Sequence, residues 1–399
     1  MLRLLSALLL LPAVVAAEIS VPVGFEAQLV HSGVGGGSRH IAVSALGDIY
    51  VRQRANPGIV AIRGDHLERF EQTSGTGIAL FKGYLYYSST TEIFRQKFKS
   101  NELVPSGARE TVVSGMPGVG GHAAKPFTFD ESGHLYVTLG APSNACQRSQ
   151  RTKGSPGLNP CPQLKEGAGV WRFASGVLNQ QFPKDGIRYV TGMRNAVALR
   201  WNPTVGHLYL VQHGRDQLNQ LFPEYFTAAQ SAELPAEEFH QVSAGANLGW
   251  PYTYFDQLRG ERMVAPEYGG DGKTVSKDDR FQRPLIGFPG HWAPNDLVFY
   301  TGTAFPKRFH GGAFIAFHGS WNRAPFPQQG YKVVFVPFRD GKSDGSYEVF
   351  ADGFSGNSKL ASPGEAEFRP MSLALGPKGE LFIGDSQKGR IWKVVYGAK

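Results

Sequence analysis

The sequence predicts an all-β chain, a six-bladed β-propeller whose ring is closed by an N-terminal strand joining the last blade. Three observations predict it: one hairpin pattern recurs six times, the composition is rich in glycine and aromatic residues, and the last repeat lacks a strand that the N-terminal segment can supply. The pattern is a glycine, one further residue, then branched or aromatic apolar residues. It reads GDIYV from Gly47, GYLYY from Gly83, GHLYV from Gly133, GHLYL from Gly206, GAFIA from Gly312 and GELFI from Gly379. Self-similarity of this kind marks a repeat architecture.

Each element follows in order. An apolar segment precedes each glycine: HIAVSA, GIALF, PFTFD, NAVALRW, DLVFY and MSLALG. Most of the intervening turns hold Gly, Asp, Asn or Pro, so each pair reads as a hairpin. A third strand follows in IVAIRG, EIFRQKF, GVWRFAS, EEFHQV, YKVVFVPF and RIWKVVY, and a fourth in HLERFEQ, ETVVSG, GIRYVTG and YEVFADG. Four antiparallel strands per repeat are the units of a propeller. A bare blade needs about 40–45 residues; the later repeats are longer, which predicts insertions near 141–165, 215–236 and 252–290. The segment FEAQLVHSG at 25–33 has no partner in the first repeat. Pairing it with the last repeat removes two exposed sheet edges. A β-sandwich explains six matching hairpins less well.

The 50 glycines and 12% aromatic content fit an all-β chain. The opening MLRLLSALLLLPAVVAA has Arg3, an apolar run and small residues with Val15 and Ala17 at cleavage-compatible positions. It reads as a secretory leader at 1–17, leaving 18–399 as one propeller domain, periplasmic or secreted. A membrane anchor fits less well, because a span needs about 20 apolar residues; no other stretch is long and apolar enough to cross a bilayer. The two cysteines, Cys146 and Cys161, lie in one Gly/Pro/Ser-rich stretch and are expected to form a loop-closing disulfide after export. There is no C-x-x-C-H for covalent haem, no H-E-x-x-H or C-x-x-C for zinc and no phosphate loop between a strand and a helix. GKSDG at 341–345 sits in a polar turn rather than at a strand-to-helix elbow, so it is not a hydrolase nucleophile. The formal charge is +8, from 41 Lys and Arg against 33 Asp and Glu. It is scattered, without the aromatic–basic clusters of a nucleic-acid binder.

In a propeller the innermost strand of each blade lines the axis. The loop leading into that strand and the loop joining the second and third strands open on the same end. The lead-in loops are SRH (38–40), SGTG (74–77), GGHAAK (120–125), GMRN (192–195), GHWAPN (290–295) and FRP (368–370). Second-to-third loops include GAPSNAC (140–146), QHGRDQ (212–217), HGSWNR (318–323) and GDSQKGR (384–390). One end of the ring is therefore expected to gather many arginines and histidines, with Asp216 and Asp385 the main carboxylates. Such a funnel suits a polyanionic ligand, because arginine grips carboxylates with a two-pronged fork. His40, His213 and His318 read best as turn residues bonded to backbone. His122, Arg194 and Arg369 occupy closely equivalent positions in three blades, which favours convergence on one site.

On these residues the chain resembles the glucose/sorbosone dehydrogenase family of PQQ-dependent sugar dehydrogenases, nearer to its sorbosone and pyranose dehydrogenase-like branch. The resemblance runs from about Val21 to Tyr396 and is carried by GHAAKPFTFDESGHLYVTLGAPSNAC, GMRNAVALRWNP, QHGRDQ, ANLGWPY, FYTGTAFPKRFHGGAFIAFHGSWNR and FRPMSLALGPKGELFIGDSQKGRIWKV. It implies PQQ, a tricarboxylate quinone, bound in the funnel and oxidising a sugar (aldose, pyranose or aldosone) by hydride transfer. It implies His122 as the general base, Arg194 as the group facing the quinone oxygen, with Asn195 beside it, and Arg369 on a PQQ carboxylate. Calcium is implied on the backbone carbonyls of Gly214 and Arg215, the latter where the family's glucose enzyme has proline. The family's PQQ-binding lysine falls in HGSWNR, where Arg323 is the candidate, and its glutamine falls in SGTG, where Thr76 is nearest. A second arginine beside FRP is absent; Glu367 and Phe368 precede Arg369. Electrons are expected to leave to an external acceptor, a soluble cytochrome or quinone. A calcium-dependent lactonase-type hydrolase and a non-catalytic sugar-binding propeller share the fold. The first would need carboxylate and amide side chains around a metal; the missing lysine and glutamine favour the second.

Overall fold

A computed structural model of the chain describes residues 19–397 apart from 55–57, 119 and 358. The expected leader at 1–17 lies outside the described residues. Six sheets stand around a ring. Blade 1 comprises Ser38–Val43, Ile49–Gln53, Gly58–Arg63 and His66–Phe70. Blade 2 comprises Ile78–Phe81, Tyr84–Ser88, Ile93–Lys97 and Glu110–Ser114. Blade 3 comprises Phe127–Phe129, His134–Leu139, Gly169–Ala174 and Ile187–Thr191. Blade 4 comprises Ala196–Asn202, His207–Gln212, Glu237–Val242 and Ile286–Phe288. Blade 5 comprises Pro294–Phe299, Ala313–Phe317, Lys332–Val336 and Glu348–Ala351. Blade 6 comprises Pro370–Leu375, Leu381–Asp385 and Ile391–Tyr396, with Phe25–His31 as its outer strand.

The strand sequences follow from where their faces go. A sheet packed on one side alternates apolar and polar residues; one packed on both sides does not. Ile49–Gln53, Ala313–Phe317 and Leu381–Asp385 are buried at every position. Six clusters of buried side chains fill the gaps between successive blades. Ala42 and Tyr50 of blade 1 meet Ile78 and Leu85 of blade 2 in one of them. Outer strands such as His66–Phe70 face solvent and carry charge.

The N-terminal strand closes the ring. Phe25 pairs with Tyr396, Ala27 with Val394 and Leu29 with Trp392, in antiparallel register. The Phe25 ring packs edge-on against Phe305 at 4.8 Å, Phe350 at 5.1 Å and Phe309 at 5.3 Å, between blades 5 and 6. Such contacts prefer this edge-to-face geometry.

The insertions are ordered bodies. The segment after the second strand of blade 3 is clipped by the Cys146–Cys161 disulfide and packs on Trp250. The segment after the second strand of blade 4 holds short helices at Leu218–Leu221 and Ala228–Glu233, the second opened by a capping box of Thr227 and Gln230. These helices share a small core with a hairpin, Thr253–Asp256 and Glu261–Val264. The structure corrects the third boundary. The span 252–290 ends in the outer strand of blade 4, Ile286–Phe288, and is not insertion throughout. The four residues between Pro284 and Pro289 are too few to show a strand pattern.

Phe25→Ala is expected to destabilise the protein by roughly 3 kcal/mol, the usual loss for truncating a packed phenylalanine. Its calorimetric melting temperature should fall by several degrees; an unchanged value would remove Phe25 from the closure.

Candidate functional site

The lead-in and second-to-third loops open on one cleft of about 800 Å³, lined from blades 1 to 5. Its wall includes Arg39, Arg54, Thr76, His122, Arg151, Arg194, Asn195, Gly214, Asp216 and Glu237, and Trp321 at the rim. Loops far apart in sequence meet there because each blade contributes the same end.

His122 is set by its neighbours. Its Nδ1 lies 2.6 Å from the Ala141 carbonyl oxygen. A carbonyl only accepts, so Nδ1 carries the hydrogen and Nε2 keeps its lone pair. Among the described residues nothing bonds to Nε2. The Ala141 N–H in turn donates to the Arg194 carbonyl at 2.7 Å, tying His122 and Arg194 to one frame. A Cβ on Gly140 would fall 2.5 Å from the His122 Cβ and 2.8 Å from Asn195 Oδ1, so only glycine admits this approach. Burial first, then the Arg194 charge, hold the His122 pKa down at about 3, and the imidazole is neutral at pH 7.

Arg194 anchors the acidic side. Its Nη1 donates to the Gly214 carbonyl at 2.9 Å and its Nη2 to Asp216 at 2.8 Å. Arg151 reaches the same carboxylate at 2.9 Å, and Asn144 brackets the Asp216 backbone with bonds of 2.9 and 3.0 Å. Burial pushes Asp216 up, but Arg194, His291 and Arg151 outweigh it and keep it charged, well below the usual carboxylate range. Glu237 sits beneath, accepting the Gly214 N–H at 3.0 Å and the Ala293 N–H at 3.2 Å. Burial drives it up to about 8 against those donors.

The opposite side is cationic. Arg39, half-buried, has its pKa pushed down to about 10 by burial and by the charges of Arg54 and Arg369. Arg369 stands outside the lining. Its Nε donates to the His318 carbonyl at 3.1 Å and its Nη2 to the Gly319 carbonyl at 2.9 Å. His40, His213 and His291 are fastened to the carbonyls of Asn295, Pro294 and Ser231, and His318 to the Ser386 hydroxyl.

The structure thus gathers His122, Arg194, Asn195, Thr76 and Gly214 in one cleft. Arg323 is elsewhere: its guanidinium is spent on the Ala232 and Pro327 carbonyls and on Glu233. The Arg215 side chain pairs with buried Glu267, leaving only its backbone beside Gly214. Arg54, Arg151 and Glu237 were not among the expected residues. Arg54 follows the second strand of blade 1, so the loop rule that found the others reaches it too. Arg151 rides on an insertion whose path no repeat dictates.

Three polar atoms here are buried without a hydrogen-bond partner: Arg39 Nε, Arg194 Nε and Asn195 Oδ1. Buried polar groups are nearly always paired, so these atoms fit a ligand that supplies both acceptors and a donor. Among the described residues no three His, Cys, Asp or Glu side chains stand together as a metal cluster. The TrAA12-like family model matches residues 19–397. The chain belongs to the TrAA12-like family. Among relatives of this TrAA12-like chain, a pyrroloquinoline quinone-dependent pyranose dehydrogenase of Coprinopsis cinerea is 25% identical over 183 residues, covering 39% of this chain and 23% of the relative. A pyrroloquinoline quinone-dependent sugar dehydrogenase of Hypocrea jecorina is 26% identical over 224 residues, covering 50% of this chain and 46% of the relative. The matches span less than half the length of these curated relatives. The holo pyranose dehydrogenase PQQ domain of Coprinopsis cinerea superposes with a TM-score of 0.75 at 18% identity, covering 95% of this chain and 97% of that one. At that identity the likeness speaks for the propeller fold. Among the described residues no helix is long and apolar enough to cross a membrane.

Arg194→Ala removes the cation that most lowers the His122 pKa after burial itself. The His122 value should then rise toward the ordinary value of about 6.5, read by NMR titration of the imidazole signals. An unmoved value would show that Arg194 does not set the His122 pKa.

Proposed function

We propose that this chain is a PQQ-dependent sugar dehydrogenase. The observation that carries the reading is His122, held neutral with Nε2 available, on one frame with Arg194 in a cation-rich cleft. Membership of the TrAA12-like family and relatives named as quinone-dependent dehydrogenases support it. So do the unpaired Nε donors of Arg39 and Arg194, which suit carboxylate or carbonyl oxygens of a ligand, and the unpaired Oδ1 of Asn195, which suits an N–H or O–H donor.

In this reading Arg194, Asn195 and Thr76 hold the cofactor from the cleft, while Arg369, with its donors on the His318 and Gly319 carbonyls, contributes only its positive charge from behind the wall. When bound, PQQ supplies the hydride-accepting centre. His122 Nε2 takes the proton of the substrate hydroxyl. Its bond to Ala141 keeps the ring in the tautomer able to do so and stabilises the imidazolium that forms. Arg194 opposes negative charge on an oxygen placed before it, and Asp216 holds its guanidinium at that angle. The free-protein pKa of His122 is low through burial first and the Arg194 charge second; an anionic ligand offsets that second part and makes the imidazole a stronger base. Calcium is assigned to the Gly214 and Arg215 carbonyl oxygens, a donor type that this ion favours. The Gly214 oxygen already accepts from Arg194 and has a second lone pair to offer, with Asp216 and Glu237 alongside. Electrons leave to an external acceptor, a soluble cytochrome or quinone. The predicted leader and the disulfide support an exported protein.

The deciding experiment adds PQQ and calcium to purified protein and assays aldoses, pyranoses and aldosones with an artificial electron acceptor. Turnover is expected, and its absence together with no saturable PQQ binding would end the reading. His122→Ala should lower kcat by about 10²–10⁴-fold while PQQ affinity, followed by fluorescence, stays within a few-fold. Loss of binding instead would show that His122 is not the base. Chelation with EDTA should remove activity and added calcium restore it; activity indifferent to both would remove the metal from the scheme.

A further inference from the structure

The two sides of the cleft differ in charge balance. At Arg194 the positive charge is met by Asp216 at 2.8 Å. At the blade 1 side, Arg39 and Arg54 line the wall and Arg369 stands behind them. Among the described residues none of these three guanidinium groups is in an ion pair with a carboxylate. Arg369 caps two carbonyls, the ordinary structural use of an arginine. Arg39 differs, since its Nε is buried without a partner and no described residue accepts from its guanidinium.

The local fold holds this arrangement in place. Ser38 pairs with Gln53 across the first hairpin, so Arg39 and Arg54, each one residue further along, sit at the same end of blade 1. The Arg54 N–H donates to the Gly37 carbonyl at 3.0 Å, closing the loop that carries Arg39. Unpaired burial of a charged donor and clustering of like charges both oppose folding. An anion between them would remove both penalties, and a carboxylate matches the guanidinium fork.

We propose that Arg39, with Arg54 beside it, receives a carboxylate edge of the cofactor, in the role of the lysine absent from HGSWNR. This rests on the dehydrogenase reading above. It orients the cofactor with its carboxylates toward blade 1 and its quinone edge toward His122 and Arg194. Arg323 does not take that role, because its own donors are occupied within the protein.

The test is a fluorescence titration of the full chain, with calcium, by PQQ and by its trimethyl ester. Wild type, Arg39→Ala, Arg39→Gln and Arg54→Ala are compared, and the unliganded melting temperature of each is recorded. Arg39→Ala is expected to weaken PQQ binding at least tenfold, and Arg54→Ala by less. The ester should bind wild type weakly and lose nothing further in the Arg39 variants. Their unliganded melting temperatures should be unchanged or higher, since a like-charge repulsion is relieved. Arg39→Gln gives the same comparison if the alanine variant does not fold. If wild type binds PQQ and the Arg39 variants bind it equally, the inference fails and the dehydrogenase reading stands. A lowered unliganded melting temperature with unchanged affinity would assign Arg39 a structural role and overturn it too. If wild type binds no PQQ, the dehydrogenase reading fails and the inference falls with it.

Discussion

Burial of both faces of every blade is the constraint on which the rest of this structure depends. A four-stranded sheet with two apolar faces is not soluble alone; it must be covered on each side by another sheet. Arranging six such sheets radially covers every face, and each interface has its own cluster of packed side chains. The consequence for function is positional. Once the inner strands surround the axis, the equivalent loops of all blades open at one end. Residues as distant in sequence as Arg39, His122, Arg194 and Trp321 then share one cleft. Packing far from the cleft therefore determines which side chains can act together.

Within the cleft, electrostatics and tautomer control are coupled. Burial first, and then the Arg194 charge, keep His122 unprotonated, and the Ala141 carbonyl decides which nitrogen bears its hydrogen. An imidazole buried beside an arginine binds a proton weakly. Asp216 compensates one side, and among the described residues no carboxylate pairs with Arg39 on the other. For the cofactor proposed above, this charge asymmetry is what sets its direction in the cleft.

Most of the fold was legible because it is written six times. The glycine of each hairpin and the apolar residues after it mark the second strand, and the unmatched FEAQLVH found its place by subtraction. Ile286–Phe288 was not legible, since a three-residue strand carries no periodicity and its partner Glu237–Val242 lies beyond a long excursion. The site was legible as far as loop topology reaches, which covers His122, Arg194, Asn195, Thr76 and Gly214. It was not legible at Arg323, which lies in an appropriate loop but points its guanidinium at Glu233 and the Ala232 carbonyl. Nor was it at Arg151 and Glu237, which reach the cleft from an insertion and from the inner end of a third strand. Side-chain direction at a loop is decided by local partners that a repeat frame does not encode.

The closing strand carries a consequence for how the molecule is made. Phe25–His31 is synthesised before every blade, yet its partner Ile391–Tyr396 is made only after the first five blades. Domains assemble from the N-terminal end as the chain emerges, but this ring cannot lock in that order. The first strand must wait unpaired while five blades form, and the interfaces flanking blade 6 complete last. The latch is thus a checkpoint on length: a chain halted short of Ile391 has no partner for Phe25–His31, and it leaves a sheet edge and an apolar blade face exposed, features by which quality-control machinery recognises an unfinished product.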